Sequence, residues 1–146
     1  MKALIQRVSS ARVIVSGNPV GSIKAGLLVF IGIGKNDTKE RVSKMADKIA
    51  NLRIFEDNEG KMNLSILEKG GEILLVSQFT LYGDCNSGNR PGFSSAAEPA
   101  MAEKLYIQLA ATLLSKGLSV ATGIFREHMQ VELTNDGPAT FMIEVS

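Results

Sequence analysis

Hydrophobic positions along this chain follow two rhythms. Over residues 2–8 and 11–15, Leu4, Val8, Val13 and Val15 are spaced for a pleated surface, and Gly17-Asn18-Pro19 supplies a turn. GLLVFIGI, residues 26–33, is an unbroken apolar run of strand length and predicts a buried strand. GEILLVSQF, residues 71–79, predicts another, ending in polar residues. Between them Val42, Met45, Ala46, Ile49 and Leu52 recur at helical spacing, with Asp37 and Glu40 placed as N-cap and N3 of a capping-box variant. Asp57-Asn58-Glu59-Gly60 reads as a turn. A second helix is predicted from about Pro99 to Lys116: proline suits its first turn, Met101, Leu105, Leu109 and Leu113 form a stripe, and Gly117 stands at C′. Short strands around 118–122, 129–134 and 140–145 close the chain. Strand runs broken by two main helices predict an α+β fold, a largely antiparallel sheet with a barrel-like core, in one domain over 1–146.

Composition narrows the classes. A 146-residue chain that is 45% hydrophobic and 21% charged has ordinary soluble usage and buries a sizeable core. Its net charge of +1 provides no general field for a polyanion, so any phosphate contact has to be local. Cys85 is the only cysteine, which excludes an internal disulfide and fits a reducing, cytoplasmic setting. The N-terminus lacks the pattern of a signal peptide, and the longest apolar stretch is too short to span a bilayer; no membrane association is expected.

Several chemistries present themselves. GIGKND at 32–37 lacks the spacing of a phosphate-binding loop and reads as a strand-to-helix turn. His128, the only histidine, leaves open a Cys85–His128 dyad or a Ser77–His128–Asp84 triad, although no G-x-S-x-G elbow is present. One histidine and one cysteine do not fill a zinc shell. Residues 83–95, GDCNSGNRPGFSS, form a long Gly/Ser/Asn-rich loop in which Arg90 lies close to Phe93, a cation and an aromatic suited to a phosphate or a base. Two polar stretches remain. Ser77-Gln78-Phe79-Thr80 ends a buried strand, where rigid scaffolds present reactive groups. Asn135-Asp136-Gly137-Pro138, followed by Thr140, has the residues of a turn.

These two stretches, with LIQRVSSARV (4–13), NLRIFEDNEGKMNLS (51–65), GGEILLVSQFTLYGD (70–84), RPGFSSAA (90–97) and HMQVELTNDGPATF (128–141), make the chain resemble the D-aminoacyl-tRNA deacylase family over nearly its whole length. Both family motifs stand in order: S-Q-x-T as Ser77, Gln78, Phe79 and Thr80, and N-x-G-P-x-T as Asn135, Gly137, Pro138 and Thr140. The resemblance implies a homodimer with its active site at the subunit interface. It implies cleavage of the ester joining a D-amino acid, or mischarged glycine, to the 3′ end of tRNA, without metal or cofactor. It also implies a cis Gly137-Pro138 bond inserted into the partner's pocket.

A cis Gly-Pro peptide aims two neighbouring carbonyls the same way, an edge that holds the substrate ammonium while backbone blocks one side of its Cα. An L side chain collides with that block, a D side chain projects away, and glycine passes. Backbone N–H groups around Phe79 and Thr80 are the expected oxyanion donors. Thr80 is a weak nucleophile without a base beside it, so water assisted by the vicinal ribose hydroxyl is the better reading. Met129 is expected to line the pocket and Arg7 to buttress the Gly-Pro turn. The chain departs from the family in RPGF for RPSF, in IFREH at 124–128 for an RFGAD-like stretch, and in TNDGPAT for VNDGPVT. A non-catalytic binder of the tRNA end or of D-amino acids is the alternative.

Overall fold

The computed structural model describes residues 1–146. Its spine is β1 (Lys2–Val15), one strand of 14 residues where the sequence pattern predicts two. The polar pair Ser9-Ser10 marks irregular pairing, not a strand end: the ladder from β1 to β8 (Gln130–Glu144) shifts register between Gln6 and Val8 and again between Val8 and Ser10. β8 is likewise one element in place of the two expected strands. Along its other edge β1 pairs with β3 (Gly26–Gly32) through residues 2–8 and with β2 (Asn18–Ile23) through residues 11–15. A shorter ladder joins β4 (Phe55–Glu56) to β5 (Met62–Leu64).

The sheet runs β2-β1-β3-β6-β7, with β6 at Glu72–Ser77 and β7 at Ser119–Thr122. β1 is antiparallel to β2, β3 and β8, but β3–β6 and β6–β7 are parallel. The cause is connectivity: α1 (Lys39–Asn51) lies between β3 and β6, and α3 (Pro99–Ser115) between β6 and β7, so each link is a crossover. The sheet is therefore mixed, and it curls until its ends approach. At Gly21 of β2 an added Cβ would lie 2.4 Å from the Thr122 carbonyl of β7, so only glycine permits this near-closure.

Alternation within β3 and β6 explains their unbroken apolar runs. Leu27, Val29, Ile31, Ile73 and Leu75 face the helices and join a core of 24 buried residues; Leu28, Leu74 and Val76 face the curled interior and join a second cluster with Val8, Val13 and Ile23. Both faces are covered, so neither strand has a polar side. α1 and α3 bury Val42, Met45, Ala46 and Ile49 against Leu105, Leu109 and Leu113. Tyr106 ties α3 to the sheet, its hydroxyl donating to the Leu75 carbonyl at 2.8 Å. Gly117 ends α3 at φ +85°, as its position predicts.

The cap of α1 differs from expectation. Thr38 is the N-cap, its Oγ1 accepting from the Arg41 N–H, while Asp37 is buried. Asp37 instead accepts from the α-ammonium group of Met1 at 2.6 Å, the Gly34 N–H at 2.7 Å and Arg41 at 3.1 Å. A four-residue helix, α2 (Ile66–Lys69), also appears, started by a Ser65/Glu68 capping box. No helix is long and apolar enough to cross a membrane.

Candidate active site

Where β6 ends, the curled sheet, the start of α3 and the β7–β8 connection enclose a cavity of about 480 Å³. Ile31, Ile33 and Val76 contribute apolar wall from the strands; Ser77, Gln78 and Phe79 form its edge; Phe125 to Met129 enter from the connection. The cavity thus brings Ser77, Gln78, Phe79 and Met129 together.

The chain leaves β6 through one turn of 3₁₀ helix, Phe79–Tyr82. Such a turn leaves its first N–H groups without internal acceptors. The Leu81 and Gly83 N–H groups donate to the carbonyls of Gln78 and Thr80, while those of Phe79 and Thr80 stand ahead of the turn's first bond. Phe79 lines the cavity and Thr80 follows it on the exposed rim, where two adjacent donors suit an oxyanion. Gln78 Nε2 donates to the Thr80 hydroxyl, so the partner of Thr80 is an amide and not a base. Phe79 is exposed and packs its ring on Phe93, centroids 5.0 Å apart. Tyr82 anchors the far end of the turn: its ring lies so close over Gly34 that a Cβ there would meet it at 2.8 Å. Burial first, then the carboxylates of Asp37 and Glu144, push the Tyr82 hydroxyl up to about 12.

A second group gathers on the β1–β8 ladder, among residues that do not line this chain's own cavity. Gln6 pairs with Thr140 and Val8 with Asn135. Between those pairs β1 supplies one residue, Arg7, and β8 supplies four, Asp136 to Ala139, so Gly137-Pro138 is extruded as a tip. The Gly137-Pro138 bond is cis. This is why turn residues sit inside a long strand: the stretch is a wide bulge, not a terminus.

Arg7 is 5% exposed, not the surface charge an arginine ordinarily is. Its Nε donates to the Asp136 carbonyl at 2.9 Å, and its other arm to the Ile54 carbonyl at 2.7 Å. Asn135 closes the neck, its amide donating to the carbonyls of Arg7 at 2.9 Å and Ala139 at 3.3 Å. Thr140 Oγ1 accepts from Gln6 at 3.1 Å. Arg7, Asn135 and Thr140 therefore hold the tip.

The remaining candidates fall apart or stand aside. Arg90 is exposed in the 83–95 loop, which is pinched by the paired backbones of Asp84 and Gly92 and does not bring Arg90 into the cavity. Cys85 is exposed in the same loop, apart from the cavity that His128 lines. Asp84 is turned to Asn86, so no Ser77–His128–Asp84 relay forms. Residue spacing overlooks Phe125 and Arg126 as cavity residues; only the run of charge in FREH marks the segment.

A D-aminoacyl-tRNA deacylase of Thermotoga petrophila is 56% identical over 146 residues, covering 100% of this chain and 98% of the relative. One from Clostridioides difficile is 54% identical, with the same coverage. Among solved structures, the c-Myc DNA unwinding element binding protein superposes with a TM-score of 0.94 at 40% identity, covering 100% of this chain and 99% of its own. A probable eukaryotic D-amino acid tRNA deacylase, at 17% identity and a TM-score of 0.85, shares the fold. The family model for D-Tyr-tRNA(Tyr) deacylase matches residues 4–144, and the chain belongs to that family.

Proposed function

We propose that this chain is an ester hydrolase that releases D-amino acids from the 3′ end of tRNA. The observation that carries the reading is the position of the Phe79 and Thr80 N–H groups, at the open start of a 3₁₀ turn on the cavity edge, in a chain of this family. The scissile carbonyl sits against those donors, and its oxygen gains charge as water attacks. Each donor contributes about 3 kcal/mol of transition-state stabilisation when well placed. The vicinal ribose hydroxyl of the terminal adenosine assists the water, which fits a site whose Thr80 hydroxyl is engaged by Gln78 and not by a base.

Chirality is read by a second copy of the chain. The Gly137-Pro138 tip of one subunit enters the cavity of the other, accepts the substrate ammonium on backbone carbonyls, and collides with an L side chain. Glycine, with nothing to collide, is cleaved as well. Two features favour this arrangement: the exposed Gly137-Pro138 tip is no part of the lining of its own cavity, and Phe79, Leu133 and Met142 leave apolar surface exposed. A homodimer covers that surface and completes each site.

The test is loss of ester from D-tyrosyl-tRNA at catalytic enzyme concentration, with the 3′-terminal ribose intact or lacking its 2′ hydroxyl. Turnover on the intact substrate and a rate lower by at least about a hundredfold on the deoxy substrate support the reading. Binding without turnover makes the chain a mere holder of the tRNA end.

A further inference from the structure

The β7–β8 connection holds a strained residue whose side chain the fold does not use. The Glu127 N–H donates to the Ile124 carbonyl at 3.3 Å, closing a four-residue turn. Its third residue, Arg126, has φ +67°, whereas Phe125 before it is not among the positive-φ residues. This is the type II pattern, whose third position favours glycine. A Cβ in that conformation crowds the backbone, and arginine offers no local hydrogen bond of the kind that lets asparagine tolerate it. The only other non-glycine residue at positive φ is Ser16, in the β1–β2 turn.

Nothing inside the chain offsets the strain. The Arg126 guanidinium makes no ion pair and no side-chain hydrogen bond. It is exposed and lines the cavity, with Glu127 and His128 as the other ionisable lining residues. Arg7 is spent on the Gly137-Pro138 tip, and Arg90 stands outside the cavity. Arg126 is thus the one permanent cation on the cavity wall of a chain whose net charge is only +1.

We propose that Arg126 is a substrate-binding residue that grips a phosphate of the tRNA 3′ strand as the terminal nucleotide enters the cavity. The proposal rests on the deacylase reading. With the ester at the N–H groups of Phe79 and Thr80, the strand leaves over the cavity wall, and its first phosphate is one nucleotide back. A planar guanidinium with every donor free matches a phosphate in two parallel hydrogen bonds. A local grip of this kind also answers how a nearly neutral chain holds a polyanion.

Arg126→Gly removes the side chain and suits the backbone, so loss of folding does not cloud the outcome. Its Tm rises by roughly 2–4 °C. KM for D-tyrosyl-tRNA rises roughly five- to tenfold while kcat holds, the loss expected for one charge-assisted bond near solvent. The slope of log affinity against log salt for a single-stranded oligonucleotide ending in CCA becomes shallower by about 0.7, one phosphate's worth. Arg126→Lys, a point charge on the same strained backbone, falls between the two in KM. An Arg126→Gly protein with wild-type KM and salt slope overturns the proposal, as does a raised KM with an unchanged slope. A wild-type chain that cleaves no D-tyrosyl-tRNA overturns the deacylase reading with it, and is seen before any variant is compared.

Discussion

Arg7→Lys tests whether the buried arginine shapes the extruded tip. The guanidinium spans two backbone acceptors, Asp136 at 2.9 Å and Ile54 at 2.7 Å, one on the bulge and one ahead of β4. It also lies 3.2 Å from the Asp136 carboxylate and 3.9 Å from that of Glu56, but these carboxylates are 62% and 58% exposed. Exposed partners contribute at most about 1 kcal/mol, so the carbonyls decide the outcome. A lysine ammonium reaches one carbonyl and leaves the other buried and unpaired, at about 1–3 kcal/mol. Arg7→Met loses both, roughly 3–5 kcal/mol. Domains of this size hold about 5–15 kcal/mol, so the lysine variant stays folded and the methionine variant is marginal.

Urea unfolding reads the stability, and single-turnover deacylation reads the tip. Arg7→Lys is expected to lower kcat/KM by at least about tenfold, because the released tip no longer holds its position. A lysine variant with the wild-type urea midpoint and rate would refute the reasoning, since a point charge would then serve as well as the fork.

Further outcomes follow from single contacts. In Gly137→Ala the new Cβ meets Asn135 Oδ1 at 2.5 Å and levers that side chain off the carbonyls of Arg7 and Ala139; stability falls by about 1–2 kcal/mol in urea and single-turnover cleavage by at least about tenfold. Gly21→Ala drives a Cβ to 2.4 Å from the Thr122 carbonyl and lowers the urea midpoint by the equivalent of about 1–3 kcal/mol as β2 and β7 part. Both tyrosines, Tyr82 and Tyr106, are pushed up to about 12, Tyr106 by burial alone. The unfolded chain loses those protons near its ordinary value of about 10 while the native chain keeps them. Stability is therefore fully present below pH 10 and lost as pH rises towards 12, by roughly 2–3 kcal/mol for Tyr106. Tyrosinate absorbance that develops near pH 10 in the folded protein contradicts this.

The fold was legible wherever one rhythm ran unbroken. The apolar runs at β3 and β6, the stripes of both long helices and Gly117 each announced themselves, because burial on a fixed face dictates residue type. Even α2 carried its signal, Ser65 and Glu68 at capping-box spacing, though the helix is only one turn long. Two ladders proved parallel because strand direction depends on what the crossovers carry, which strand composition does not record. At the site, a family motif singled out Ser77 to Thr80, and Met129, which lies outside both motifs, was expected beside them; the cavity lining includes Ser77, Gln78, Phe79 and Met129.

Other features were hidden for physical reasons. An extruded bulge and a terminal turn use the same residues, Asn, Asp, Gly and Pro, so only the register between Gln6 and Val8 distinguishes them. Burial of Arg7 is set by carbonyls from residues 54 and 136, and a carbonyl has no letter in the sequence. Asp37 looked like a helix cap because its true partner, the α-ammonium group of Met1, lies 36 residues away in sequence. The N–H groups of Phe79 and Thr80 are equally silent, and they are the chemistry proposed here.

The most direct test compares single-turnover rates on D-tyrosyl-, L-tyrosyl- and glycyl-tRNA under one condition. A backbone gate at Gly137-Pro138 predicts that the D ester is lost at least about a hundredfold faster than the L ester, a ratio that needs only roughly 3 kcal/mol of collision. Glycine, having no side chain to reject, is cleaved too. Equal rates on the D and L esters would contradict the account.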